Sequence, residues 1–400
     1  SSAWALLPKS PKGPDVMELN QILGLALKAK ASDIHIKAGL PPIYRINGAL
    51  KPLPKGPRLS SDQLRQMAES IMSKHQVQRF EEIHDLDTAY AVPGLGRFRV
   101  NIFTQRGSVS MVFRVIPFDI MDIEELQLPA VTKKIALEPR GLVLVTGATG
   151  SGKSTTLAAM IDYINATRTT HVVTIEDPIE FLHRDRKSII NQREIGIDTE
   201  NYASALKSAL RQDPDVILVG EMRDMETVET ALHAAETGHL VLSTLHTIDA
   251  PETINRIISI FPPHHQRQIR AQLATVLRAV ISQRLVPQAT GKGRVPALEV
   301  LISTARTREM IDDKEKTKQL HEAIQAGYVS YGMQTFDQSL MELLKKDLIT
   351  YEEALRQSSN PDDFKLKHSG IDSTSDMSWD AFQGNNTEED EEESSGDGPR

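Results

Sequence analysis

Two kinds of hydrophobic pattern follow one another along the chain. From 18 to 31, Leu19, Ile22, Leu23, Ala26 and Leu27 recur on one stripe, which predicts an amphipathic helix. Residues 32–36 then alternate as a strand, and Asn47-Gly48 between 43–46 and 49–53 is a hairpin signal. Ser60-Ser61-Asp62 offers caps for a helix running to about 74. Over 86–116 the alternation is strong: Phe98, Val100 and Ile102, then Val109, Met111, Phe113 and Val115, with Gly94, Gly96 and Gly107 at turns. These features predict a small α+β domain with an antiparallel sheet over 17–116.

Residues 117–130, with Pro117 and Pro129, read as a linker. Beyond them short apolar strands (141–146, 171–175, 188–192, 216–220, 240–244) alternate with helices (153–165, 202–212, 224–237, 264–284). Such alternation predicts an α/β domain whose mostly parallel sheet is covered on both faces. Helical periodicity resumes over 305–357, so this second domain is expected over 131–357. From 358 the chain turns polar, and 388–393 is an unbroken acidic run, so 358–400 is expected to be a disordered acidic tail.

Composition narrows the classes. Four hundred residues suffice for two or three domains. There is no cysteine, which excludes disulfides and cysteine-ligated zinc and fits a reducing compartment. No apolar run reaches the ~18 residues of a membrane helix, so no direct insertion is expected. Residues 1–16 begin with Ser1, and their apolar stretch 3–7 is too short for a signal peptide. They are read as a tag or disordered extension. The net charge of −8 is carried by 368–400, where ten acidic residues and one arginine give −9; the rest, with 44 acidic and 45 basic residues, stands at +1. A nearly neutral body with 5% aromatic residues lacks the basic, aromatic-studded channel of a nucleic-acid motor, so no nucleic acid is expected as partner.

The chemistry is concentrated in a few segments. Gly147-Ala148-Thr149-Gly150-Ser151-Gly152-Lys153-Ser154 is a complete P-loop between a buried-strand run and a helix. Glycines let backbone amides reach phosphate oxygens, and the helix N-terminus adds unpaired N–H groups and a positive dipole end. Lys153 places its charge on the β- and γ-phosphates of ATP, and Ser154 supplies an oxygen to Mg²⁺. Gly147, Thr149, Gly150, Ser151, Gly152 and Thr155 complete the expected cradle. Residues 216–221 form a buried strand ending in Glu221, placed to organise a Mg²⁺-bound water. Thr174-Ile175-Glu176-Asp177-Pro178-Ile179-Glu180 offers three more carboxylates. Hydrolysis needs one to orient the attacking water, and chain order alone does not rank Glu176, Asp177 and Glu180.

These segments, with Thr237-Gly238-His239-Leu240 and Thr244-Leu245-His246-Thr247, resemble the secretion-type ATPase superfamily and, within it, the PilT family of type IV pilus-retraction motors. The match takes in most of 17–357, including Ala31-Ser32-Asp33-Ile34-His35 and Gly96-Arg97-Phe98-Arg99-Val100-Asn101. The resemblance implies a PAS-like N-terminal domain, a RecA-like ATPase domain and a homohexamer. It implies cytoplasmic work at the inner-membrane base of the pilus, with the platform protein and paralogous motors as partners. Glu221 and Glu180 match the family's catalytic acids, and His239 and His246 its histidine positions near the γ-phosphate. Arg97, Arg99 and Arg114 read by themselves as a solvated sheet face with alternating charge, whereas the resemblance implies that some of them reach a nucleotide across the ring. Alternatives from the same superfamily are an accessory, PilU-like paralogue and a pilus-extension or type II secretion ATPase. The last usually carries a four-cysteine insertion, which this chain lacks. A RecA-like nucleic-acid motor and an ATP-binding scaffold without turnover are the alternatives from other classes.

Overall fold

The computed structural model describes residues 18–117 and 119–370. The chain divides into two units: the first runs to Asp119 and adds Pro178–His183, and the second holds Ile120–Asp177 and everything from Arg184. The expectations for 1–16 and for the acidic run lie outside the described residues.

In the first unit, β1 (Asp33–Ile36), β2 (Ile43–Ile46), β3 (Ala49–Pro52), β4 (Asp85–Val92), β5 (Gly96–Gln105) and β6 (Ser108–Ile116) make an antiparallel sheet in the order β3-β2-β1-β6-β5-β4. Asn47 and Gly48, both at positive φ, turn the β2–β3 hairpin, as the Asn-Gly signal predicts. One sheet face buries Ile34, Ile36, Phe98, Val100, Ile102, Met111 and Phe113 with residues of the helices Leu19–Lys28 and Ser61–Ile71. The other face carries Arg97, Arg99, Asn101 and Arg114 beside Phe103, Val112 and Ile116. The helix expected to run to about 74 ends at Ile71, and a second helix that the sequence reading did not single out, Lys74–Ile83, follows it because Ser73 and Gln76 form a fresh capping box.

In the second unit, β7 (Gly141–Thr146), β8 (His171–Glu176), β9 (Ile189–Glu194), β10 (Val216–Val219), β11 (Leu240–Leu245), β12 (Leu277–Pro287) and β13 (Arg294–Ile302) are ordered β13-β12-β7-β11-β10-β8-β9. All neighbours are parallel except β12–β13. Alternate strand residues feed two cores. Leu142, Leu144, Ile217 and Val241 join one, and Val143, Val145, Leu218 and Leu242 join the other, so both faces are covered as expected. Among the described residues no helix is long and apolar enough to cross a membrane.

Three expectations are corrected. The helix expected over 264–284 ends at Val276, and Leu277–Pro287 is a central strand. The linker expected over 117–130 is not free chain throughout: Ile123 and Leu128 are buried in the second unit's core. The tail expected from 358 begins with an ordered helix, Pro361–His368, because Phe364 is 1% exposed in a small core with Phe336, Leu340 and Ala354. Asn360 caps this helix and Pro361 opens it.

Candidate functional site

The P-loop turns from the end of β7 into the helix Lys153–Thr167. Gly147, Gly150 and Gly152 have φ of +141°, +79° and +90°. A side chain on Gly147 would meet the Gln283 carbonyl at 2.4 Å and Ser151 Oγ at 2.6 Å, so the backbone path exists only for glycine. The helix starts at Gly152 with no side-chain cap. Its first N–H groups and its positive dipole end are therefore available to an anion. Ser151 Oγ is buried without a hydrogen-bond partner, an orphaned donor inside the cradle. Thr149 and Gly150 lie exposed at the rim, with Ser154 and Thr155 half-buried on the first helical turn. Lys153 Nζ donates to the carbonyls of Gly147 (2.8 Å) and Ala148 (3.1 Å), curling over the loop.

Gln283 of β12 was not singled out from the sequence, yet it braces the loop. Its Nε2 donates to the Ser151 carbonyl (2.8 Å) and its Oε1 accepts from Thr156 Oγ1 (2.7 Å). Set between Ser282 and Arg284, the amide carried no sequence signal of its burial; once buried it requires partners.

Glu221 follows β10 on the same sheet edge. Ser243 and Thr244 of β11 hold the strand end by donating to the carbonyls of Val219 (2.7 Å) and Gly220 (2.6 Å). Since β11 alone separates β7 from β10, the cradle and Glu221 stand about 10 Å apart, two strand spacings. That gap suits a terminal phosphate and a metal ion. Glu221 Oε2 pairs with Arg223 at 2.7 Å, and Oε1 lies 3.4 Å from His246 Nε2. Burial pushes the Glu221 carboxyl up, but the Arg223 hydrogen bond and the charges of His246 and Arg223 outweigh it and hold the group below its ordinary range. Glu176 ends β8, one strand further, and accepts from Thr174 Oγ1 (2.6 Å) and Gln192 Nε2 (3.2 Å). Tyr202 stands against Gly220, its hydroxyl 2.9 Å from where a side chain there would begin. Burial, then the charges of Asp177 and Glu221, push its pKa up, so it keeps its proton.

The structure thus brings the P-loop, Glu176, Glu221 and His246 to one sheet edge. His239 is elsewhere. It precedes β11, its carbonyl accepts from the amide of Gly141 at the start of β7, and its ring bonds the Ala234 carbonyl at 2.9 Å. A full strand, about 20 Å, separates it from the cradle end. Its expected place by the γ-phosphate is therefore corrected to a structural one at the opposite sheet edge. Glu180 is exposed on Pro178–His183, a segment of the first unit. Arg97, Arg99 and Arg114 lie on that unit's sheet face away from its helices, where Arg99 and Arg114 are direct cross-strand neighbours. Arg114 bonds the buried Asp33 at 2.9 Å.

Hard oxygen donors suit Mg²⁺, and Ser154 and Glu221 supply them. Among the described residues no three His, Asp or Glu side chains converge as a metal cage. Magnesium is commonly held by one or two protein oxygens together with substrate phosphates, so the donors present fit it.

The family model described as Type II/IV secretion system protein matches residues 10–357. The type IV pilus retraction ATPase PilT of Pseudomonas aeruginosa is 47% identical over 348 residues, 87% of this chain and 100% of that protein. The type IV pilus ATPase PilU of the same organism is 44% identical over 352 residues, 88% of this chain and 91% of its own length. A crystal structure of the pilus retraction motor PilT with bound ADP superposes with a TM-score of 0.79 at 48% identity, covering 88% of this chain and all of that one. With its cradle, its acid and its sheet order in place, the chain belongs to the Type II/IV secretion system protein family and is an ATPase.

Proposed function

We propose that this protein hydrolyses Mg²⁺-ATP as a subunit of a six-membered ring and uses that energy to retract type IV pili. What supports the reading is one arrangement: a glycine-lined, uncapped helix start facing the Glu221 carboxylate two strands away. In this reading Lys153 leaves its loop carbonyls to pair with the β- and γ-phosphates, exchanging neutral acceptors for anionic ones. Ser154 and Glu221 would hold Mg²⁺, which would supply charge neutralisation at the phosphates. Glu221 stays ionised at neutral pH and accepts a proton from, or orients, the attacking water, while His246 and Arg223 fix its rotamer. Glu176 and Glu180 are the further acids proposed near the water. Arg97, Arg99 and Arg114 are proposed to bring positive charge to a nucleotide held by the neighbouring subunit.

The relatives' names carry the pilus assignment. PilU, nearly as similar as PilT, favours one second reading, an accessory motor working beside a paralogue. The proposed place of work is the cytoplasmic base of the pilus, against the inner-membrane platform protein.

Two substitutions test the chemistry. Lys153→Ala is expected to abolish ATP binding or turnover. Glu221→Gln is expected to keep ATP binding and to lower kcat by about 10²- to 10⁴-fold. A Glu221→Gln protein turning over at the wild-type rate removes the acid from its role. Complementation of a retraction-deficient strain by wild type and not by Lys153→Ala tests the pilus assignment.

A further inference from the structure

Glu299 of β13 is 1% exposed, and a buried carboxylate is tolerated only where its oxygens are paired. Its Oε1 accepts the amide of Ala250, the first residue of the helix Ala250–Ser259, at 2.9 Å. Its Oε2 lies 3.4 Å from Nδ1 of His321, on the helix Leu320–Ala326. The turn before Ala250 is bound residue by residue. Thr247 and Thr253 hydroxyls meet at 2.6 Å, and Glu252 accepts the Ile248 amide at 2.9 Å. Asp249 caps the helix by accepting from the Glu252 amide at 2.8 Å. One residue before this turn stands His246, 3.4 Å from Glu221. A continuous set of bonds therefore runs from the C-terminal helices to the proposed catalytic acid.

We propose that His321 is a positioning residue: as an imidazolium it holds Glu299 against the start of the helix Ala250–Ser259 and so keeps His246 on Glu221. The proposal rests on the reading of Glu221 as the catalytic acid. His321 faces Glu299 from β13, Asp249 from the helix cap and Asp337 from the helix Phe336–Lys345, with Arg284 of β12 acting on Asp249. It also lines a cavity of about 360 Å³ shared with Asp363 and Lys367, which gives protons a path to the ring. The bond to Glu299 raises the His321 pKa, burial opposes it, and the charges of Glu299, Asp337 and Asp249 raise it further; the net direction is up from 6.5. The ring thus keeps its proton to higher pH than a free imidazole. The anchor is complete below about 6.5 and is lost as pH rises through the raised value. Turnover should decline over that range as His246 loosens.

The full chain tests this by two readouts, amide hydrogen exchange over 246–253 and the pH profile of ATPase turnover. His321→Gln is expected to speed exchange of the Ile248, Ala250 and Glu252 amides. It should lower kcat by about tenfold, the low end for losing a supporting group, with KM for ATP within twofold. The alkaline decline due to His321 should vanish. His321→Lys, charged to far higher pH, is expected to restore protection and move the decline upward. Wild-type exchange in His321→Gln, or an unchanged alkaline decline in it, overturns the proposal. Should His321→Gln fail to fold, an unmoved decline in His321→Lys overturns it equally. The exchange result is independent of catalysis, so failure of the Glu221 assignment, read from Glu221→Gln, is distinguishable from failure of this coupling.

Discussion

Two glycines of the P-loop separate backbone strain from close approach. Gly147 and Gly150 both have positive φ, but around Gly147 a methyl group would meet backbone oxygen at 2.4 Å, and around Gly150 it meets nothing within 4 Å. Gly150→Ala carries only the left-handed penalty, about 1–2 kcal/mol. Gly147→Ala must move the loop away from β12 as well, which pulls the Ser151 carbonyl off Gln283 and disperses the amides that face phosphate. We expect Gly150→Ala to lower Tm modestly and keep measurable binding of a fluorescent ATP analogue. Gly147→Ala is expected to lose that binding by more than about tenfold, the cost of ~1.4 kcal/mol or more at the cradle. Equal affinities for the two variants would show that the Gln283 contact does not shape the loop. The sequence motif names both glycines alike; only the neighbouring strand, remote in sequence, tells them apart.

Elements were legible where local signals agreed. The helix Met225–Glu236 begins at Asp224, which accepts from the Thr227 amide at 2.8 Å and from the Thr227 hydroxyl at 2.8 Å. Both residues are visible in the sequence as a start signal. Asp224→Ala is expected to cost about 1 kcal/mol, measurable as a lower Tm or denaturation midpoint, with the Glu221 site otherwise intact. The strand β12 shows why other elements were hidden. Leu273, Val276, Leu277, Val280 and Ile281 keep helical spacing across the junction at Val276, so periodicity extends the helix past its end. A central strand buried on both faces has no alternation to contradict that reading. Val280, Ile281 and Val286 were the available counter-signal, being β-branched. The helix Ala250–Ser259 was missed although Asp249 and Pro251 announce it. With β12 and this helix went Gln283 and the Glu299 anchor, so the supporting half of the site was not readable while its phosphate half was.

At the scale of the whole molecule, the proposal that one subunit does not complete the function alone is testable through the charge of the first unit. On the first unit, Arg99 and Arg114 sit directly opposite each other on β5 and β6, both exposed. Like charges so placed weaken a sheet, so the unit's own stability gives no reason for the pair. Asp33 answers only part of it: Arg114 at 2.9 Å and Arg45 at 3.7 Å share this one buried carboxylate. Burial pushes the Asp33 carboxyl up, yet the Arg114 and Ser32 hydrogen bonds and the arginine charges bring it net below its ordinary value, so the pairing holds at neutral pH and fails only in acid. Arg114→Ala would therefore mix lost chemistry with a buried carboxylate stripped of its nearest partner. Arg99→Ala is the cleaner probe. Removing one of two opposed charges should leave Tm unchanged or slightly higher, while ATP turnover falls if an anionic nucleotide is what the pair awaits. If that nucleotide belongs to a neighbour, Arg99→Ala subunits with an intact P-loop, mixed with Lys153→Ala subunits that keep their arginines, should regain activity that neither has alone. If the proposed ring forms, turnover should also drop on dilution. A mixture no more active than its two components would confine Arg99 to its own subunit and remove the assembly requirement from the mechanism.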